Sequence, residues 1–194
     1  MKKIFIRSVL SLGLLAMVSC SADTESLDGI SSESESLKVS EPPSTSRVQP
    51  VKGKTYYIKN VLSQKYMDVS RNSKSNGANV HQWAFTGANN QKWKIEDFEG
   101  NARLISVHSG KSLDIEGKSI SNKANVQQWA SSGNENQKFR ITATSSGRFF
   151  IENVGAGKRL RVEGTETGNG ANIIQYFHSG SDQSAREWAF YETN

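Results

Sequence analysis

Gly77-Ala-Asn-Val-His-Gln-Trp83 returns almost unchanged as Lys123-Ala-Asn-Val-Gln-Gln-Trp129 and again as Gly170-Ala-Asn-Ile-Ile-Gln-Tyr176. Repeats at a fixed interval decide an architecture before any single element does. Asp68, Asp114 and Arg161 form one column and Trp83, Trp129 and Tyr176 a second, each at intervals of 46 and 47 residues; Trp93, Phe139 and Trp188 form a third, at 46 and 49. Around these columns the first unit reads TYYIKN, KYMDV, ANVHQWAF and QKWKIED, short β-type runs separated by Gly, Asn and Ser clusters. The other two units repeat the scheme, which predicts four strands in each of three units and no amphipathic helix. A propeller needs about four blades to close. Three units predict instead a closed barrel with threefold pseudosymmetry, its core built on Trp93, Phe139 and Trp188 and supported by Ile95 and Ile141.

The flanking sequence has a different character. Lys2, Lys3 and Arg7 precede an uncharged stretch from Ser8 to Ser19, the layout of a secretory signal peptide over residues 1–19. Cys20, the chain's one cysteine, follows directly and belongs to no disulfide framework. The segment resembles the lipobox of bacterial lipoproteins, which implies acylation of Cys20 and attachment to a membrane, at the outer membrane or cell surface. The alternative is ordinary cleavage after Ala22, giving a secreted soluble protein.

Residues 20–50 read as a disordered tether. From Ser21 to Pro50 the chain holds nine serines, six acidic residues and all three prolines, and cannot bury enough apolar surface to offset the entropy of ordering. As a flexible chain it spans about 30 Å, from ~5–6 Å × √n. Residues 51–194 remain for one domain, with repeats at about 53–98, 99–144 and 145–194. Nineteen basic against thirteen acidic residues give it a charge of +6. These charges are spread evenly, so composition indicates no nucleic-acid patch.

NNQKW and ENQKF, each following HQW or QQW and preceded by YMDV or SLDI, resemble the Gln-x-Trp repeats of the ricin-type β-trefoil lectins and related carbohydrate-binding modules. The resemblance covers residues 53–192. It implies an all-β fold, a β-trefoil of three four-stranded repeats, and glycan binding. Binding a neutral sugar in water takes fixed acceptors and donors for its hydroxyls and a flat aromatic surface for its C–H face. The family pattern supplies both in the first repeat through Asp68, His81, Trp83 and Asn90, with Gln91 bracing the loop. In the second it places Asp114, Gln127, Trp129 and Asn136, with Gln137 as the brace. Gln82 and Gln128, one residue off the contact position, should face away.

The third repeat departs from the pattern. Arg161 replaces the aspartate, Ile174 the auxiliary polar residue and Tyr176 the tryptophan, while Ala185 and Arg186 replace the Asn-Gln pair. A guanidinium only donates, so no ordinary sugar site is expected there; Lys158, Arg159, Arg161 and Tyr176 leave an acidic sugar or sulfate as an alternative. No nucleophile triad, metal-ligand cluster or phosphate loop points to catalysis, a metal or a cofactor. Catalysis would belong to a separate enzyme or toxin partner chain, which stays open. The rival reading is a protein-binding trefoil, an adhesin, toxin component or protease inhibitor.

Overall fold

Alternation of apolar and polar residues sets the strands, because successive side chains point to opposite faces of a sheet. In the computed structural model, which describes residues 47–178 and 184–193, the first repeat forms β1 (Thr55–Asn60), β2 (Tyr66–Val69), β3 (Ala78–Trp83) and β4 (Lys92–Phe98). The second forms β5 (Asn101–Ser106), β6 (Ser112–Ile115), β7 (Val126–Trp129) and β8 (Phe139–Ala143). The third forms β9 (Phe149–Asn153), β10 (Lys158–Val162), β11 (Ile173–Tyr176) and β12 (Trp188–Glu192). The helical pieces among the described residues are three-residue 3₁₀ turns. Cys20 and the expected signal peptide lie outside the described residues, as does the expected tether up to residue 46.

The first and last strands of each repeat close on themselves. β1 pairs with β4, β4 with β5, β5 with β8, β8 with β9, β9 with β12, and β12 returns to β1. This six-stranded ring leaves no open edge. Its interior holds the third sequence column, since Trp93, Phe139 and Trp188 are all fully buried together with Tyr56 and Phe190. Each indole N–H still finds a carbonyl, Trp93 donating to Met67 at 3.1 Å and Trp188 to Leu160 at 3.3 Å, as a buried donor requires. Ile95 is buried in the same cluster, whereas Ile141 is only partly buried against it. The barrel also recruits the end of the expected tether: Val48 donates its N–H to Phe190 at 3.2 Å and packs on the core.

The hairpins β2–β3, β6–β7 and β10–β11 carry the repeated phrase, and the phrase turns out to be a cross-repeat clamp. Gln128 donates to the carbonyls of Ser73 and Ser75 in the preceding repeat, each at 2.9 Å. Gln175 holds Ser119 and Ser121 in the same way, and Gln82 holds Glu166 and Gly168, completing the circle. The Asn before each Gly77, Lys123 or Gly170 adds a second lock: Asn76, Asn122 and Asn169 accept from the backbone N–H of Ala130, Phe177 and Ala84. At the centre, Asn79 donates to Asn172 and Asn172 to Asn125, each at 3.0 Å. These contacts join three hairpins that could not bury their polar backbone alone.

Breaking one link should be felt through the whole cap. Gln128→Leu strands the carbonyls of Ser73 and Ser75 and the hydroxyl of Ser109. These groups are part-buried, so each one left unsatisfied costs toward the lower end of about 1–3 kcal/mol. Urea unfolding should show the midpoint falling by a corresponding amount without a change in far-UV circular dichroism of the native state.

Candidate functional site

Asp68 lies on β2 and His81 opposite it on β3, in direct cross-strand register. That pairing brings His81 Nε2 to 3.1 Å from Asp68 Oδ1. Asn90 arrives from the turn Asn89–Gln91 and donates to Asp68 Oδ2 at 2.9 Å and to the carbonyl of Val69 at 3.1 Å. Trp83 ends β3 and is 39% exposed, its ring lying over His81 at 5.4 Å with a 22° interplanar angle. These four residues line one cleft of about 550 Å³, with Ser70, Arg71 and Asn72 along one wall. Gln91 bridges the N–H of Thr86 and the carbonyl of Ala84 at 2.9 and 2.8 Å, so it ties the loop behind the cleft.

The second repeat reproduces the set with one substitution. Gln127, opposite Asp114 in register, donates to Asp114 Oδ1 at 2.9 Å, and Asn136 donates to Oδ2 at 2.8 Å and to the Ile115 carbonyl at 2.9 Å. Gln137 ties Ser132 to Ala130 as Gln91 does in the first repeat, but also donates to Asp114 at 2.8 Å. Trp129 is 44% exposed over a cleft of about 490 Å³. Both aspartates are buried, and Asn90 Oδ1 and Asn136 Oδ1 are buried with no protein partner. Asp68 thus keeps a lone pair on each oxygen, whereas Asp114, with two donors on Oδ2, keeps one on Oδ1, and each lies beside an unpartnered amide oxygen under an aromatic face. Gln82 and Gln128 point away and serve the clamp described above.

The loops behind the two tryptophans are held by different chemistry. In the first repeat Tyr57, Tyr66 and Phe85 pack as a cluster, with Phe85 at 4.9 Å from each tyrosine ring, and Tyr57 donates its hydroxyl to Gly87 at 3.0 Å. Burial pushes the Tyr66 phenol up to about 12. In the second, Arg103 donates to the Ser132 carbonyl at 2.6 Å and Ser112 meets Ser131 at 2.7 Å.

The third repeat does not reassemble the acceptors. Arg161 spends its guanidinium on the carbonyls of Val162 and Gly164 and lies 5.6 Å from the Tyr176 ring centre. Ile174, Ala185 and Arg186 are buried. The borders of the two tryptophans come from other units. Gly77 lies 3.6 Å from Trp129 and Gly170 lies 3.7 Å from Trp83, measured from a Cβ built on each glycine. The equivalent position facing the third repeat is Lys123, which donates its N–H to Gln175 as Gly77 does to Gln128. Trp83 and Trp129 are thus each bordered by a glycine of another unit.

A β-trefoil with two such clefts is the class of protein that this geometry defines. A profile of the ricin-type beta-trefoil lectin domain-like family matches residues 47–129 and 99–176, and the chain belongs to that family. Among solved structures, the designed threefold-symmetric protein ThreeFoil is 38% identical, with a TM-score of 0.69 over 72% of this chain and 99% of its own. The exo-beta-1,3-galactanase 1,3Gal43A from Clostridium thermocellum is 27% identical with a TM-score of 0.70, covering 75% of this chain and 31% of that one. The ricin B-like lectin of Macrolepiota procera, solved with lactose, shares the fold at 19% identity, with a TM-score of 0.65 over 75% of this chain and 100% of that lectin. No curated protein matches the sequence.

Two of the four tryptophans are exposed and two are fully buried. N-bromosuccinimide should therefore oxidise Trp83 and Trp129 in the native protein and spare Trp93 and Trp188, as read by peptide mass spectrometry. The turn carrying Asn90 also lacks a brace that its counterparts have. Asn153 donates to Glu135 and Lys138, and Asn60 to Ala185 and Glu187. The matching residue of the second repeat is Ser106, whose hydroxyl is buried and unpartnered. Ser106→Asn should raise thermal stability, by about 1 kcal/mol for a net new hydrogen bond.

Proposed function

We propose that this protein is a non-catalytic glycan-binding lipoprotein, held to a membrane through lipidated Cys20 and carrying one sugar site in each of its first two repeats. The observation that supports this reading best is the duplicated set of buried aspartate, unpartnered asparagine oxygen and exposed tryptophan. A fixed carboxylate accepting from sugar hydroxyls, two at Asp68 and one at Asp114, gives orientation, and the indole face covers the apolar side of the ring. The family to which the chain belongs makes carbohydrate binding the expected use of such clefts. Asp68, His81, Trp83 and Asn90 act in the first site, and Asp114, Gln127, Trp129 and Asn136 in the second. Gln91 and Gln137 hold the loops that shape them.

Open clefts of this size bind single sugars weakly, because only a surplus over the entropy of association appears as affinity. Two sites on one body, on a tethered protein present in many copies, favour a branched or polymeric ligand through effective concentration. The first repeat would differ from the second through His81, whose ring extends the aromatic surface under Trp83.

Calorimetric titration of residues 47–194 with the best ligand from a glycan array should give two sites per chain. Asp68→Ala and Asp114→Ala should each remove one, and the double variant should lose binding altogether, a loss of about 1.5–3 kcal/mol per charged hydrogen bond. Retained binding in a folded double variant would overturn the assignment. Fractionation of cells expressing the full chain should place it in membranes, and Cys20→Ser should release it.

A further inference from the structure

The walls of the two clefts each contain a cation that makes no ion pair with a described residue. Arg71 lines the first cleft and Lys118 the second. On the barrel, several basic side chains meet carboxylates, as Lys94 does Glu96, Arg140 does Glu152 and Arg148 does Glu187. Arg71 makes no side-chain hydrogen bond or ion pair with a described residue. Lys118 meets only the neutral amide of Asn134, at 3.1 Å across the mouth of its cleft. Both side chains are exposed.

Their backbones are strained as well. Arg71 has φ 56° and Lys118 φ 54°, the left-handed region that favours glycine and to a lesser degree asparagine. The repeats provide their own comparison. The position of Arg71 is occupied by Gly117 and Gly164 in the other two units, and that of Lys118 by Asn72 in the first and Thr165 in the third. The two cations thus stand at different repeat positions, so neither is inherited from the other. Each replaces a residue better suited to its backbone, and each lies at the wall of a cleft. Gln64, Glu99 and Lys123 take the same backbone region away from these clefts, so it is their place at a cleft wall that sets Arg71 and Lys118 apart.

Resting on the glycan-binding reading, we propose that the two sites take acidic saccharides. The sugar's hydroxyls lie on Asp68 and Asn90, or on Asp114 and Asn136, and its negative substituent points to Arg71 or Lys118. The floor carboxylate fixes this polarity, because it repels an anionic group and attracts hydroxyl donors, leaving the wall as the place for a charge. A guanidinium can grip a carboxylate or sulfate by two parallel hydrogen bonds, whereas the ammonium acts as a point charge. The first site should therefore discriminate more sharply than the second.

The test uses the protein with galactan- and xylan-type oligosaccharides displayed as matched neutral, uronic-acid and sulfated members. The parent should bind an acidic member about fivefold more tightly than its neutral partner at low ionic strength, a preference that fades as salt screens the contact. The uronic-acid and sulfated arms tell which anion is preferred. Arg71→Gly with Lys118→Asn installs at each position a residue that another repeat already uses there, and should raise the melting temperature while the ratio of acidic to neutral binding falls to about one. Equal binding of neutral and acidic members by the parent would overturn the proposal while leaving the lectin reading in place, and so would a preference that survives the double variant. Binding of no saccharide by the folded parent would overturn both.

Discussion

Gln82, Gln128 and Gln175 each leave their own repeat to hold the backbone of another, and the rest of the molecule depends on that exchange. A two-stranded hairpin is marginal in isolation, and each of these would leave its loop carbonyls without partners. The glutamines supply those partners in a closed cycle, with Asn76, Asn122 and Asn169 fastening the opposite ends. Since every link connects two units, a single repeat cannot be completed by itself. The cycle explains why the third phrase keeps its Gly-Ala-Asn and Gln after its sugar-type residues have gone.

The same cycle positions the candidate sites. Each tryptophan ends a strand whose preceding glutamine is anchored in the clamp, so the indole is presented outward on a fixed base. The aspartate beneath it is set by cross-strand register, one strand away, and the asparagine by a short turn stacked on the barrel. Three elements converge on each cleft, and a slip of one residue in the hairpin would send the aspartate to the opposite face. Rigid support of this kind suits a shallow site, where little binding energy is available to order a loose one. The different packing behind Trp83 and Trp129, aromatic in one repeat and polar in the other, indicates that the required feature is support and not a particular chemistry.

Much of this was legible in the chain. The recurrence of Trp93, Phe139 and Trp188 among alternating residues marks a core column, and they occupy the barrel interior. The pairing of Asp68 with Asn90 and of Asp114 with Asn136 was readable only as a family pattern. Sequence spacing gives no reason for residues 22 apart to meet, and the hydrogen bonds that join them come from the fold. Ile141 shows the limit of periodicity: it has the right phase for the core, yet is only partly buried against it.

The sequence by itself determined three equal units, their strands, the aromatic core and the loss of the aspartate from the third, because period and residue type are local properties. Tertiary structure decided what the repeated phrase is for. The Gln and Asn residues that read as polar strand and turn positions become links only when hairpins far apart in the chain meet. It likewise decided that glycines of other repeats border the two tryptophans, and that Arg71 and Lys118, at different places in their repeats, each reach a cleft. These are relations between units, set by closure of the barrel, and no window of sequence contains them.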